Sequence, residues 1–320
     1  MDKPLIVAMR SMTISTPEPD QLIDFIANGL GWEIRETGPI GHALEAVWGI
    51  ESGSAGETFT ILAAPGADRG MIRVVKGADR YPSRQIGARW SGVEIVVMSD
   101  IDGLCERLCG YPSFRLTKAP ENADFSDVGA NIHRFFHGRP VGGTHFMFTM
   151  AITQPREHAF PSADANVGQI FSIPLVSADY DRSFRFYRDT LGMVPMLEDH
   201  LESGIWHSTW SLPEGLAVEL SILRGDTPAL GFGGIELQGY DRSVIDPVPL
   251  IANRLDGGTG LASFTTADID KVFVAVAGSP DARIIAAPLT IADAPYSGAR
   301  VFTFLGPGGE RMEIVEERAV

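Results

Sequence analysis

Cysteine is nearly absent: the 320-residue chain holds two, Cys105 and Cys109. So few exclude a disulfide framework. Their four-residue spacing places them on one face of a helix and reads as two reduced thiols, one packed in a core. Long apolar runs are missing too. No window approaches the roughly 20 apolar residues of a membrane span, so no membrane partner is expected. The apolar part of the opening stretch, MDKPLIVAMRSM, is too short for a signal peptide; it reads as a first strand of a cytoplasmic protein. Positive charge is scarce, with 26 Lys and Arg against 41 Asp and Glu and a formal net charge of −15. That sign repels a phosphate backbone and speaks against nucleic acid as a partner. No GxGxxG opens a helix after a strand, and there is no P-loop, GxSxG or HExxH.

What the chain has in plenty is glycine, 35 residues, and proline, 21, as fits many short strands joined by turns. Apolar residues make up 44%, enough for two packed cores, and at about 150 residues per domain the length suggests two domains. An internal repeat supports this. STPEPDQLIDFIANGLGWEIRE from Ser15 parallels SADYDRSFRFYRDTLGMVPMLE from Ser177: each is a turn, a helix with one apolar stripe, and a Leu-Gly end. In the second copy Asp179 or Asp181 can cap the helix, Phe184, Tyr187 and Leu191 form the stripe, and Gly192 ends it. A second pair, Val96–Asp102 and Phe264–Asp270, starts two more strand–turn–helix units. The runs TFTILAAPG, GMIRVVKG, NIHRFFHG, THFMFTMAI, IWHSTWSLP, LAVELSILRG and the closing hairpin RVFTFLGPGGERMEIVEE supply the other strands. Residues 153–167, polar and Pro-containing, read as a linker between an N-terminal half, 1–152, and a C-terminal half, 168–320.

The stretches SADYDRSFRFYRDTLGM and ARVFTFLGPGGERMEIVEE resemble the vicinal oxygen chelate superfamily, which includes glyoxalase I, extradiol dioxygenases and bleomycin resistance proteins. The resemblance implies an α+β fold in which four βαβββ modules pair into two cup-shaped mixed-sheet domains, one per half. It also implies a divalent metal in the cup, held by residues from the first strand of each module and the last strand of one. By the spacing the resemblance implies, counting back from Asp100, Asp179 and Asp268 puts Val93, Ser172 and Leu261 at the first-strand positions, and pairing the first unit with the third adds Ser11; none is a good divalent ligand. Glu313, in RMEIVE, matches the carboxylate ligand, with Met147 as its counterpart in the other half. Gln169 becomes a second ligand if Pro174 marks a bulge.

Other residues offer chemistry without a metal. His133 and His137 share one strand face, and His145, sharing the face of Met147, is expected to point into the N-terminal cup as a base. His207 lies between Trp206 and Trp210, which share the opposite face and suit an aromatic ligand. Tyr296 can donate to an oxyanion, and Glu219 alternates with apolar residues. The catalytic candidates are therefore His145, His207, Tyr296 and Glu313; the substrate-binding candidates are Trp206, Trp210, Ser172 and Glu219; the metal candidates are Glu313 and Gln169. Three functions stay open: an enzyme of lyase, isomerase or dioxygenase type with a degenerate metal site, a non-catalytic binder of a drug or aromatic compound, and a metal-dependent extradiol-type dioxygenase. Each takes a small oxygenated or aromatic molecule, in a monomer or homodimer, and the cofactor is left unassigned.

Overall fold

A computed structural model describes residues 4–77, 89–128, 131–153, 159–202, 215–226, 234–241, 243 and 254–317. The first unit comprises β1 (Met9–Thr16), α1 (Pro19–Asp24), β2 (Glu33–Pro39), α2 (His42–Trp48), β3 (Thr58–Ala63) and β4 (Met71–Lys76). The second comprises β5 (Val93–Val97), α3 (Ile101–Cys109), β6 (Arg115–Asp124), β7 (Ile132–Arg139) and β8 (Phe146–Thr153). The third has β9 (Val167–Ser177), α4 (Tyr180–Arg185), β10 (Val194–Glu202), β11 (Ala217–Arg224) and β12 (Gly234–Tyr240). The fourth has β13 (Gly258–Thr266), α5 (Ile269–Ala277), β14 (Arg283–Ile291), β15 (Ala299–Leu305) and β16 (Arg311–Glu316). This is the expected βαβββ order four times over, with one addition among the described residues: α2, between the second and third strands of the first unit.

Local chemistry explains the unit starts. Asp100, Asp179 and Asp268 cap α3, α4 and α5 by accepting from the backbone N–H of Gly103, Arg182 and Lys271 at 2.9, 3.2 and 3.1 Å. These bonds satisfy N–H groups that have no partner inside the helix. The helix α1 has no such side-chain bond and starts on Pro19, whose fixed φ suits the first turn. Both α1 and α4 run on through a wider turn, Phe25–Gly29 and Phe186–Thr190. Gly31 (φ 78°) and Gly192 (φ 66°) follow in the left-handed region, which glycine enters without a Cβ clash.

The sixteen strands form two mixed sheets, ordered β14-β15-β16-β13-β1-β4-β3-β2 and β10-β11-β12-β9-β5-β8-β7-β6. The first sheet therefore joins the first and fourth units through antiparallel β1 and β13. The second joins the second and third through antiparallel β5 and β9. Here the structure departs from the one-cup-per-half expectation: each cup takes one unit from either half of the chain.

Within each half the two units are instead held together through helix packing. Phe25, just after α1, lies 5.5–5.9 Å from the rings of Tyr111, Phe114 and Phe146 in the second unit. Phe186, after α4, approaches Phe304 of the fourth unit at 6.0 Å. The helix-bearing faces of both sheets share one apolar core, which runs from Met12 and Ile14 through Leu22, Leu104 and Tyr187 to Val93, Phe148 and Leu237. The opposite faces of the sheets are left as the two cups.

Candidate functional site

The strand pairings identify four equivalent inward positions in each cup. In the cup of units one and four, Thr13 pairs with Arg73 and Ser263 with Glu313. In the cup of units two and three, Glu94 pairs with Met147 and Pro174 with Glu236. Met147 is thus the counterpart of Glu313, as expected. The first-strand positions differ from the counted ones. Thr13 and Ser263, two residues on from Ser11 and Leu261, face Arg73 and Glu313. Val93 belongs to the core beneath the sheet, and its neighbour Glu94 faces the cup instead, because successive side chains alternate faces. Ser172 stands opposite Glu94 across the β5–β9 pairing and is fully buried.

The first cup is filled. Arg73 and Glu313 are both buried. The Arg73 guanidinium donates to Thr13 Oγ1 at 2.8 Å, to the Tyr296 hydroxyl at 3.1 Å and to both Glu313 oxygens at 3.4 Å. Ser263 Oγ donates to Glu313 at 2.6 Å, the Tyr296 hydroxyl donates to the same carboxylate, and Trp48 Nε1 is shared between Tyr296 and Glu313 at 3.0 Å each. The Trp48 ring lies under the guanidinium, 4.6 Å from its carbon, a cation–π contact. Burial works against charge on Glu313, yet Arg73 and the donated hydrogen bonds hold its carboxyl below the usual range. Arg73 likewise stays charged: burial works against its charge, but Glu313 and Tyr296 together outweigh that cost. Helix α2 seals this cup: Leu44, Val47, Trp48 and Ile50 pack on Phe59, Val75, Leu261, Tyr296 and Val315.

The second cup holds a cavity of about 60 Å³, open to solvent. Glu94 and Glu236 face it with Thr149, Met147, His133 and His137, between walls built by Phe125, Phe135, Phe160, Leu197, Leu220 and Ile222. Thr149 Oγ1 donates to Glu94 at 2.6 Å, Gln238 donates to Glu236, and the Tyr240 hydroxyl donates to Gln238 at 2.9 Å. Burial, reinforced by the charge of Glu236, pushes the Glu94 carboxyl up to about 8. Burial alone raises Glu236 to about 7. Desolvation lowers His133 to about 4 and His137 to about 3, the latter helped by Lys118. Near neutral pH the cup therefore presents two neutral imidazoles and a carboxyl pair that retains a proton, since neighbouring buried carboxylates resist double ionisation.

The sequence candidates divide among several places. Glu313 and Tyr296 meet in the sealed cup. His145 is fully buried just before β8, 5.2 Å from the His137 ring; it does not line the cavity, and burial keeps its pKa well below the ordinary value. Ser172 lies at the centre of the open cup's sheet. Glu219 is exposed on the face away from the cup, because Leu220 and Ile222 take the inward positions of β11. Gln169 lies on β9 of the second sheet and donates to the Ser162 carbonyl at 3.4 Å, so it cannot join Glu313 of the first sheet around one metal. His207, Trp206 and Trp210 lie outside the described residues. The residues missed were Arg73, Glu94 and Glu236. Each is a lone charge inside an apolar strand (Ile72-Arg73-Val74, Val93-Glu94-Ile95, Ile235-Glu236-Leu237), the same signal that drew attention to Glu313.

Neither cup fits the divalent metal that the fold implies. In the first, a permanently cationic guanidinium lies on the one carboxylate. In the second, Pro174 and the Met147 thioether occupy two of four positions, and a divalent ion of this kind takes oxygen and nitrogen donors. Among the described residues no three His, Cys, Asp or Glu side chains are grouped to hold a metal ion.

Four βαβββ units folded into two cups define the vicinal oxygen chelate fold. Residues 167–314 match the family model described as the Glyoxalase/Bleomycin resistance protein/Dioxygenase superfamily. Among solved structures, glyoxalase I from Zea mays is similar over 97% of this chain and 92% of its own, at 13% identity and a TM-score of 0.61. A putative dioxygenase from Bacillus subtilis is similar over 100% and 87%, at 12% identity and a TM-score of 0.61. Likeness at such identities concerns the fold. No curated protein matches the chain significantly.

Proposed function

We propose that the protein is a proton-transfer enzyme of lyase or isomerase type. Its active site is the cup of the second and third units, and Glu94 and Glu236 act there without a resident divalent metal. The observation that carries this reading is the pair itself: two carboxyl groups, from β5 and β12, face one solvent-accessible cavity with aromatic walls. A general base and a general acid work best with pKa values near the operating pH, and burial brings both groups there. The ionised member removes a proton from carbon next to a carbonyl, and the protonated member gives its proton to the carbonyl oxygen. Returning a proton to carbon and recovering one from oxygen completes the isomerisation. Thr149, bound to Glu94, fixes that carboxyl's orientation.

The test is exchange of substrate C–H with D₂O, followed by NMR across a panel of small aromatic and aliphatic carbonyl compounds. Exchange should depend on both carboxyls, falling about 100-fold or more in Glu94→Gln and in Glu236→Gln, in line with the usual 10²–10⁴-fold worth of general acid–base catalysis. Binding without exchange would favour the non-catalytic binder. Exchange that survives in the double variant would overturn the assignment of the pair.

A further inference from the structure

The electrostatics of the open cup also select a ligand. Glu94 feels the charge of Glu236, and no Lys or Arg lines the cavity among the described residues. The groups facing the two carboxyls are, on β8, Thr149 and Met147; on β7, the neutral His133 and His137; on β9, the Ser172 hydroxyl; and on β12, Gln238. None is cationic. Lys118, on β6, acts on His137 and is engaged with Glu121 at 2.8 Å. With one proton held between the two carboxyls, the cup keeps an uncompensated negative charge in apolar surroundings, where an unpaired charge is costly. The first cup solves the same problem internally, since Arg73 stands at the position equivalent to Glu236 and neutralises Glu313. Among the described residues the second cup holds no corresponding cation.

We infer that the ligand of this cup carries a protonated amine on a small apolar or aromatic body, the ammonium pairing with the ionised member of Glu94 and Glu236. This rests on the assignment of that cup as the ligand site. One ammonium, one carboxylate and one carboxylic acid sum to zero charge, which leaves both the acid and the base in place. The body of the ligand lies along the aromatic wall of the cavity, where Phe125 stacks on His133 at 5.4 Å.

Calorimetric titration of the full chain at pH 7.5 with benzylamine, benzyl alcohol and benzoate separates the outcomes, because the three share a ring and differ in charge. Benzylamine should bind at least 10-fold more tightly than benzyl alcohol, benzoate should not bind, and Glu94→Gln and Glu236→Gln should each weaken benzylamine at least 10-fold. Thermal melts of both variants show whether they are folded. Equal binding of benzylamine and benzyl alcohol, lost in both variants, would overturn the amine while leaving the cup as the site. Benzylamine binding that is unchanged in both variants, or absent from the wild type, would overturn the inference; the D₂O exchange result then decides separately whether the carboxyl pair is an active site.

Discussion

Four lone charges set inside apolar strands decide how the two cups differ. Arg73 and Glu313 neutralise each other, whereas Glu94 and Glu236 do not, and this difference should be visible in stability against pH. A buried carboxyl whose folded pKa is raised holds a proton that the unfolded chain has lost, so its stabilisation is complete below the unfolded pKa and lost as pH rises through the folded one. His133 and His137 act oppositely: their folded pKa values are depressed, so their contribution is present above the unfolded value and lost as pH falls. Above about pH 7.5 the histidines are essentially neutral in both states, and the carboxyl pair is left to act. Stability should therefore decline by ~1 kcal/mol between pH 7.5 and 9. Urea titrations at several pH values would measure it. In the Glu94→Gln/Glu236→Gln protein this slope should vanish, and the variant should be the more stable of the two at pH 8.5; an unchanged slope would show that the pair is not the group titrating.

At the scale of elements, α2 separates the two cups functionally. Among the described residues no other unit has its equivalent, and it delivers Trp48 onto the Arg73–Glu313 pair. The local sequence supports such a short helix: Gly41 precedes it, and Gly49, at φ 62°, ends it in the left-handed conformation, a common helix C-terminus. The Arg311 guanidinium donates to the Trp48 carbonyl and ties the helix end to β16. Trp48→Ala removes a buried indole together with its cation–π contact and shared hydrogen bond, at an expected cost of ~3–5 kcal/mol. Chemical denaturation would register that loss, while benzylamine titration under native conditions should change less than twofold, because Trp48 lies in the other cup. A large loss of ligand affinity in the folded variant would mean that the sealed cup takes part in binding.

The whole molecule is held together in two directions at once. Hydrogen-bonded sheets join the first unit to the fourth and the second to the third, while helix packing joins the first to the second and the third to the fourth. Neither half of the chain contains a complete cup. Residues 1–159 and 160–320 produced separately should each leave β1 or β13, and β5 or β9, without its native antiparallel neighbour, and such unpaired strand edges promote aggregation. Each fragment alone should be poorly soluble or form altered oligomers, and co-expression should restore one soluble 1:1 species. Size-exclusion chromatography with circular dichroism reads this out, and two independently soluble, folded monomers would contradict the cross-paired core.

The order of the four βαβββ units, the Asp turns that start three of their helices, the glycines Gly31 and Gly192 that end two of them, and the inward carboxylate Glu313 could all be read in the sequence. These depend on residues within a few positions of one another, through helix periodicity, capping and turn conformation. The partnership of the units could not be read, because the β1–β13 and β5–β9 pairings join segments far apart in the chain, and no local preference separates one partner unit from another. The open site was hidden for a related reason. A slip of one residue exchanges the two faces of a strand, so counting reached Val93 where Glu94 faces the cup. Bulges in the β5–β9 pairing, such as the shift between Glu94 and Ile95, change the register again. That Glu313 is neutralised by Arg73, whereas Glu94 and Glu236 share a cavity with no cation lining it among the described residues, was decided by tertiary structure alone, since each pairing is made between strands of different sequence segments.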